Sequence, residues 1–168
     1  MELMASQKWI NEVVSEDSIP DHDYHVHIGS LMKVLQCNPN SLLQEYPYLE
    51  LKNNRAKSIR KDKLNIGVVF EASRESNAHD DESIDDEIIS SIFNDTHNVI
   101  CLDEKITKEN LPTHYNENFN YTDLHELSEF VSSLDLVITI DHLVAHLAGA
   151  LNINTCLLYT SDAADDYI

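Results

Sequence analysis

One stretch of this sequence decides the fold: Leu134-Asp-Leu-Val-Ile-Thr-Ile-Asp-His-Leu-Val-Ala-His-Leu-Ala-Gly-Ala-Leu151. Its first half contains the apolar, β-branched run Leu136 to Ile140, which predicts a buried strand. An apolar pattern with helical spacing follows at once over Leu143 to Leu151. The strand therefore ends at Asp141 and a helix begins directly after it, as in parallel α/β sheets.

The region upstream continues the same alternation of strands and helices. Short apolar runs predict strands over Leu64 to Phe70, over Val99 to Leu102 and from Ile153 onward. Apolar residues at helical spacing predict helices near residues 83–93, 122–133 and 142–151, with Thr122 as the N-cap of the second. This alternation predicts an α/β fold, a Rossmann-like parallel sheet with right-handed crossovers over residues 64–155. Ligands of such a sheet bind at the carboxyl ends of its strands, so the site is expected there.

The composition excludes several classes of protein. The chain has 168 residues, with 11 Lys and Arg against 30 Asp and Glu, and a formal net charge of −19. A protein that binds nucleic acid needs the opposite balance, so we expect no nucleic-acid partner. Only three glycines occur, Gly29, Gly67 and Gly149, so neither a phosphate loop nor a dinucleotide-binding fingerprint is present. The classical ATPase and simple dehydrogenase classes are excluded with them.

Targeting and redox signals are also absent from the sequence. No apolar run approaches the roughly 20 residues that span a bilayer, and the first 14 residues lack the basic and apolar blocks of a signal peptide. The three cysteines, Cys37, Cys101 and Cys156, lack C-x-x-C spacing and predict neither a disulfide framework nor a zinc knuckle. We therefore expect a cytoplasmic protein with no transmembrane segment.

The stretch from Leu134 to Leu151 resembles the most characteristic segment of the heptosyltransferase-like glycosyltransferases, glycosyltransferase family 9, and of related enzymes fused to tetratricopeptide repeats. Their pattern is approximately L-D-L-V-I-T-x-D-T-[AG]-x-x-H-L-A-[GA]-A-L. Weaker similarity lies upstream, in Asp23-Tyr24-His25 with Ser30-Leu31, in Pro47-Tyr48-Leu49 and in Asn65 to Phe70. The resemblance covers roughly residues 20 to 155.

The resemblance implies a two-domain glycosyltransferase of the GT-B type, of which this chain is a truncated piece. We expect residues 1–51 to be the end of the N-terminal, acceptor half, 52–63 a basic connecting segment, and 64–155 the Rossmann-like half that binds the nucleotide sugar. The implied reaction transfers a sugar from a nucleotide-diphosphate sugar to an unknown acceptor, without a cofactor or an obligatory metal. Because most of the acceptor half is missing, we expect the parent protein to be the glycosyltransferase and these residues alone to be inactive.

The donor site is expected where the strand ends at Asp141. Backbone N–H groups and the positive end of the helix dipole face the crevice there, which suits a diphosphate. The resemblance implies that Asp141 contacts the donor sugar or ribose, that His146 lies one turn into the helix, and that His142, Leu143 and Val144 complete the donor-binding segment. Two alternatives stay open: Asp141 only caps the helix, and His146 packs under the sheet.

Departures from the family pattern favour a different function. The pair His142-Leu143 replaces a small Thr-[Ala/Gly] pair, and Glu82 stands where the family has an arginine. Residues 71–129 contain 16 acids against three bases, an unfavourable field for an anionic donor. Arg74 is then the best remaining donor-binding partner for phosphate, with Ser73 next to it in the sequence. The alternative function is a non-catalytic binding or scaffolding protein with a degenerate glycosyltransferase fold.

Histidines near the N-terminus are the other candidates for chemistry. His25 is the candidate catalytic base, because histidine titrates near neutral pH and the family carries a histidine in this segment. A hydrogen-bonding or interdomain role for His25 is the open alternative. His22, His25 and His27 with Asp21 and Asp23 have the composition of a metal site, but no second cluster lies at ligand spacing. We therefore predict a solvated loop there and no metal site.

The end of the chain has an unusual sequence. Residues Cys156-Leu-Leu-Tyr-Thr-Ser-Asp-Ala-Ala-Asp-Asp166 resemble the conceptual translation of a transposase-type sequencing-library adapter. We therefore expect the biological sequence to stop near Thr155 and residues 156–168 to lack a native role. The alternative is a natural strand over Thr155 to Tyr159 followed by an acidic tail.

Overall fold

The computed structural model describes residues 2–38, 46–51, 59–60, 62–70, 91–103, 106, 113 and 115–158. Its strands are β1 (Leu64–Val69), β2 (His97–Cys101), β3 (Glu117–Asn118), β4 (Leu136–Thr139) and β5 (Thr155–Leu157). Its helices are α1 (Glu2–Ala5), α2 (Ile28–Val34), α3 (Leu124–Val131) and α4 (Leu143–Ala150), with a short 3₁₀ turn at Glu16–Ser18.

The five strands form one parallel sheet in the order β3-β2-β1-β4-β5. The parallel sheet predicted from the sequence is confirmed, and the fold is Rossmann-like in character. The four predicted strands correspond to β1, β2, β4 and β5, with ends that differ by at most two residues. The sequence pattern does not predict β3, because Glu117 and Asn118 are polar and no apolar run marks them.

β5 continues through part of the segment that resembles adapter sequence. Cys156 pairs with Ile138 of β4, and the N–H of Leu158 donates to the Thr139 carbonyl at 2.8 Å. An apolar segment at this position therefore forms a strand whatever its origin. The rest of that segment, residues 159–168, lies outside the described residues.

The helices α3 and α4 cover one face of the sheet. Both belong to crossovers in the same direction, from β3 to β4 and from β4 to β5, and right-handed crossovers in one direction share a face. Their apolar sides pack against the strand residues that point to this face. The resulting core contains Val69, Ile100, Leu102, Leu127, Val131, Val137, Val144 and Leu147.

A second core lies on the opposite face of the sheet. It contains Ile66, Val68, Phe70, Val99, Cys101, Ile106 and Tyr115. The helix predicted near residues 83–93 lies outside the described residues except for its last three. Of these, Phe93 packs against the second core.

The cap of α3 differs from the prediction. Asp123, and not Thr122, is the N-cap, because its Oδ1 accepts the N–H groups of His125 and Glu126 at 2.8 and 2.9 Å. Thr122 donates from its N–H and its hydroxyl to Oε2 of Glu126, each at 3.0 Å. Asp123 and Glu126 thus form a variant of the capping box, in which the acid of the first turn accepts the N–H of the residue before the cap and not that of the cap itself.

Two N-terminal segments join the core on the α3 and α4 face. Leu3 of α1 is buried in that core, and Leu49 and Leu51 pack against it. The N–H groups of Tyr48 and Leu49 donate to the Ala150 carbonyl at 3.1 and 3.2 Å, which satisfies an acceptor at the end of α4. Most of the connecting segment predicted over 52–63 lies outside the described residues.

The chain from residue 8 to residue 38 contrasts with these segments, because none of it is buried. On α2 and its C-cap, Ile28, Leu31, Met32 and Leu35 follow helical spacing, yet all four are exposed. α2 is capped by His27, whose Nδ1 accepts the Gly29 N–H at 3.2 Å. In the part of the chain that the structure describes, every helix is too short or too polar to cross a membrane.

Candidate functional site

The carboxyl ends of β1 and β4 meet where the strand order reverses. The chain passes from β1 outward to β2 and β3, then crosses back to β4 and β5. The Ile140 N–H donates to the Val69 carbonyl at 3.2 Å, so the two strands stay paired to their ends. Ligands of open parallel sheets bind outside such a switch point. The candidate site is this switch-point crevice, bordered by Phe70 after β1 and by Asp141 and His142 after β4.

α4 begins directly at the crevice. Only Ile140, Asp141 and His142 separate the end of β4 from its first residue. His142 is the N-cap: its backbone is extended (φ −147°, ψ 160°), and its Nδ1 accepts the Val144 N–H at 3.3 Å. The alternative in which Asp141 caps the helix is therefore wrong, because the ring of His142 reaches that N–H.

Asp141 and His146 project from the start of α4 into solvent. Their side chains are 87% and 78% exposed, and Oδ1 of Asp141 lies 3.8 Å from Nε2 of His146. The alternative in which His146 packs under the sheet is therefore wrong. A contact this exposed contributes little to stability. Both side chains are accessible to a ligand.

The other two residues of the predicted donor-binding segment differ in orientation. The side chain of Val144 is fully buried in the core below α4, so only its backbone belongs to the start of the helix. Leu143 is 46% exposed at the first helical position. An exposed leucine therefore stands where the family pattern has alanine or glycine.

Asp103 is a residue of this edge that the sequence pattern does not single out. It follows β2, is only 4% exposed, and its Oδ2 accepts the Phe70 N–H at 3.3 Å. The only feature of the sequence that points to Asp103 is its position in a loop directly after a predicted strand. Its carboxylate forms a hydrogen bond with Phe70, which is 33 residues away in the chain. A long-range contact of this kind leaves no local pattern.

α3 also begins at the carboxyl end of the sheet, but acids already occupy its N-terminus. Asp123 accepts two of its N–H groups, and Glu126 lies in the first turn. Negative charge at a helix N-terminus satisfies the helix dipole and repels a further anion. The cap of α4 is an imidazole, and its first turn contains no acid. Of these two helix ends, that of α4 is the better site for an anionic group.

Ser73 and Arg74, the predicted phosphate partners, and Glu82 lie outside the described residues. His25 lies on the exposed segment 8–38, edge-on to His22 with ring centroids 5.6 Å apart. Within the described residues, no group of three or more His, Cys, Asp or Glu is arranged to hold a metal ion.

No protein-family model matches the sequence, and no curated protein or solved structure matches it. The resemblance of residues 134–151 to family 9 therefore stays a prediction.

Proposed function

We propose that this chain binds a nucleotide-diphosphate sugar in the switch-point crevice, as the donor-binding half of a GT-B glycosyltransferase. The observation that supports the proposal is the direct passage from β4 into α4 where the strand order reverses. Because of this passage, the N-terminus of α4 faces the crevice. Such N-termini attract diphosphate oxygens through their N–H groups and their dipole. The resemblance of residues 134–151 to family 9 supports the same assignment.

In this proposal Asp141 recognises the sugar side of the donor. Its carboxylate is exposed and does not serve as the helix cap. It is therefore available to accept hydrogen bonds from hydroxyls of the sugar or of the ribose. His146 lies close enough to contact the same group. Arg74 and Ser73 are the sequence-based candidates for the phosphates.

In sugar transfer, the donor-binding half would have to stabilise the negative charge of the leaving group. The bond between the anomeric carbon and the diphosphate oxygen breaks, and negative charge develops on the departing diphosphate. The N–H groups at the start of α4 and a cation would stabilise that charge. The acceptor hydroxyl forms the new bond and gives its proton to a base, for which His25 is the candidate.

A non-catalytic binding role is the second candidate, and the cap of α4 favours it. The imidazole of His142 already takes the Val144 N–H that a phosphate oxygen would use. Leu143 stands exposed beside it, and Asp141 adds negative charge. A crevice with these features suits a neutral partner better than a dianion.

Replacing Asp141 by Ala tests the donor site. We expect Asp141→Ala to weaken the binding of a nucleotide-diphosphate sugar by about 10- to 100-fold, because a hydrogen bond to a charged group contributes about 1.5–3 kcal/mol. Isothermal titration with UDP-, GDP- and ADP-sugars measures the change. Asp95→Ala is the matched control, since it removes the same charge from an exposed turn before β2. The control should bind like the wild type.

Arg74→Ala, in the same titration, should weaken the binding of the nucleoside diphosphate and leave the weak binding of the nucleoside itself unchanged. If both Asp141→Ala and Arg74→Ala bind the donor like the folded wild type, the site assignment is wrong. If the folded wild-type chain binds none of the nucleotide sugars, the non-catalytic role is the better supported.

A substitution at the N-cap of α4 is expected to strengthen ligand binding and not to weaken it. His142→Thr replaces the imidazole nitrogen by a hydroxyl that can also cap the helix, and it removes the bulk of the ring, so we expect tighter binding of a nucleoside diphosphate, by at least about threefold. His27→Thr is the control, because it exchanges the same residues at the N-cap of α2. Equal affinity of His142→Thr and the wild type, with both folded, would contradict the proposed phosphate position.

A further inference from the structure

Asp103 lies where β1 and β2 part. The two strands pair up to Val68 opposite Cys101, and the Leu102 N–H donates to the Val68 carbonyl at 2.9 Å. In a parallel ladder the next bond would join the Phe70 N–H to the Leu102 carbonyl. The Phe70 N–H donates to Oδ2 of Asp103, at 3.3 Å. A side-chain carboxylate therefore replaces the backbone of β2 as the partner of the end of β1.

Burial of the Asp103 carboxylate costs free energy of solvation. Asp103 is 4% exposed, and the Sγ of the buried Cys101 lies 3.7 Å from the same Oδ2. Removing a carboxylate from water costs more free energy than removing a neutral side chain. Buried acids with specific partners in a cleft are candidates for functional residues. Asp103 meets that description at the edge of the sheet where ligands bind.

Hydrogen bonds hold both borders of the crevice in place. The Ile140 N–H donates to the Val69 carbonyl, which fixes the end of β4 against β1. The N–H of Phe70, the first residue after β1, is held from the opposite side by Asp103. Phe70 is thus held between β2 and β4, at the level where the chain turns into α4.

We propose that Asp103 is the positioning residue of the switch-point crevice. Its carboxylate holds the backbone at Phe70 in the position that a donor diphosphate at the start of α4 requires. This proposal rests on the proposed function, which supplies the ligand, a nucleotide-diphosphate sugar. It does not require that Asp103 touch the donor.

A second acid supplies a matched control. Oδ2 of Asp135 accepts the Asn65 N–H at 2.8 Å and the Asn65 side-chain amide at 3.1 Å, near the amino end of β1. Asp103 and Asp135 therefore each accept a backbone N–H of the first strand region, at opposite ends. If lower stability alone weakened ligand binding, Asp103→Ala and Asp135→Ala would both bind more weakly. If the geometry of the crevice matters, only Asp103→Ala should bind more weakly.

The test compares Asp103→Ala, Asp103→Asn and Asp135→Ala in the full chain. We measure the Kd for UDP, GDP and ADP, and the hydrogen exchange of the Phe70 amide. Asp103→Ala should raise the Kd by about tenfold, the equivalent of about 1.4 kcal/mol, and accelerate exchange at Phe70. Asp103→Asn keeps an acceptor oxygen and should stay within about threefold of the wild type in both measurements. Asp135→Ala should leave the Kd and the Phe70 exchange unchanged.

Two results would overturn the proposal. In one, Asp103→Ala changes the Kd no more than Asp135→Ala does. In the other, Asp103→Asn binds as weakly as Asp103→Ala, which would mean that charge and not position matters. If the wild type binds no nucleoside diphosphate, the proposed function fails, and exchange at Phe70 alone decides whether Asp103 holds this edge.

Discussion

Gly67→Val is expected to lower the free energy of unfolding by about 2–3 kcal/mol, the usual effect of overpacking a dense core. Gly67 lies in β1, between Ile100 of β2 and Val137 of β4. A Cβ atom there would lie 2.6 Å from Cδ1 of Leu134 and 2.8 Å from Cδ1 of Leu102. Both leucines are buried, so they cannot turn away into solvent. Urea denaturation followed by circular dichroism measures the loss.

A control and a compensating substitution make this prediction specific. Gly149→Ala should raise stability by about 0.5 kcal/mol, because an added Cβ meets nothing within 4 Å and alanine favours a helix. In a Leu134→Ala background, the cost of Gly67→Ala should shrink, since the nearer of the two clashing methyl groups is gone. Unchanged stability of Gly67→Val would contradict the close packing of Leu134 and Leu102 against β1.

The sheet could be predicted because its strands are continuous apolar runs. β1 is buried on both faces and β4 on one face, with its other face half-buried, so nearly every residue in them is apolar and each run can be recognised without its neighbour in the sheet. β3 has two polar residues and exists only because β2 lies beside it. The strand order, and with it the switch point, also depends on tertiary pairing that a linear pattern does not encode.

The candidate site could be predicted in location but not in detail. The passage from β4 into α4 follows from the sequence of residues 134–151, and the structure has it. The cap on that helix is a histidine, which is outside the residues usually preferred at an N-cap, whereas the neighbouring Asp141 is of a preferred type. The hydrogen bond between Asp103 and Phe70 joins residues that are 33 positions apart. Contacts between distant residues are what the sequence alone could not supply.

Gln7→Ala is expected to destabilise the protein by about 2 kcal/mol, because it removes a buried side-chain amide that forms hydrogen bonds to the backbone of two segments. Gln7 is 2% exposed, although glutamine is usually a surface residue. Its Oε1 accepts the Glu50 N–H at 3.0 Å, and its Nε2 donates to the Glu50 carbonyl at 3.1 Å and to the Leu3 carbonyl at 2.8 Å. One side chain thus joins α1 to the segment 46–51, which in turn satisfies the end of α4.

A control at the neighbouring Lys8 shows whether any contact with Glu50 stabilises the protein as the buried amide of Gln7 does. Lys8 forms an ion pair with the Glu50 carboxylate at 2.5 Å, but the two side chains are 80% and 57% exposed. Solvent screens such a pair, so Lys8→Ala should leave the urea midpoint unchanged. Gln7→Ala should also increase the hydrogen exchange of the Tyr48 and Leu49 amides, which donate to Ala150. If Lys8→Ala destabilises the protein as much as Gln7→Ala, the buried amide does not hold the two segments together, and the surface charge does.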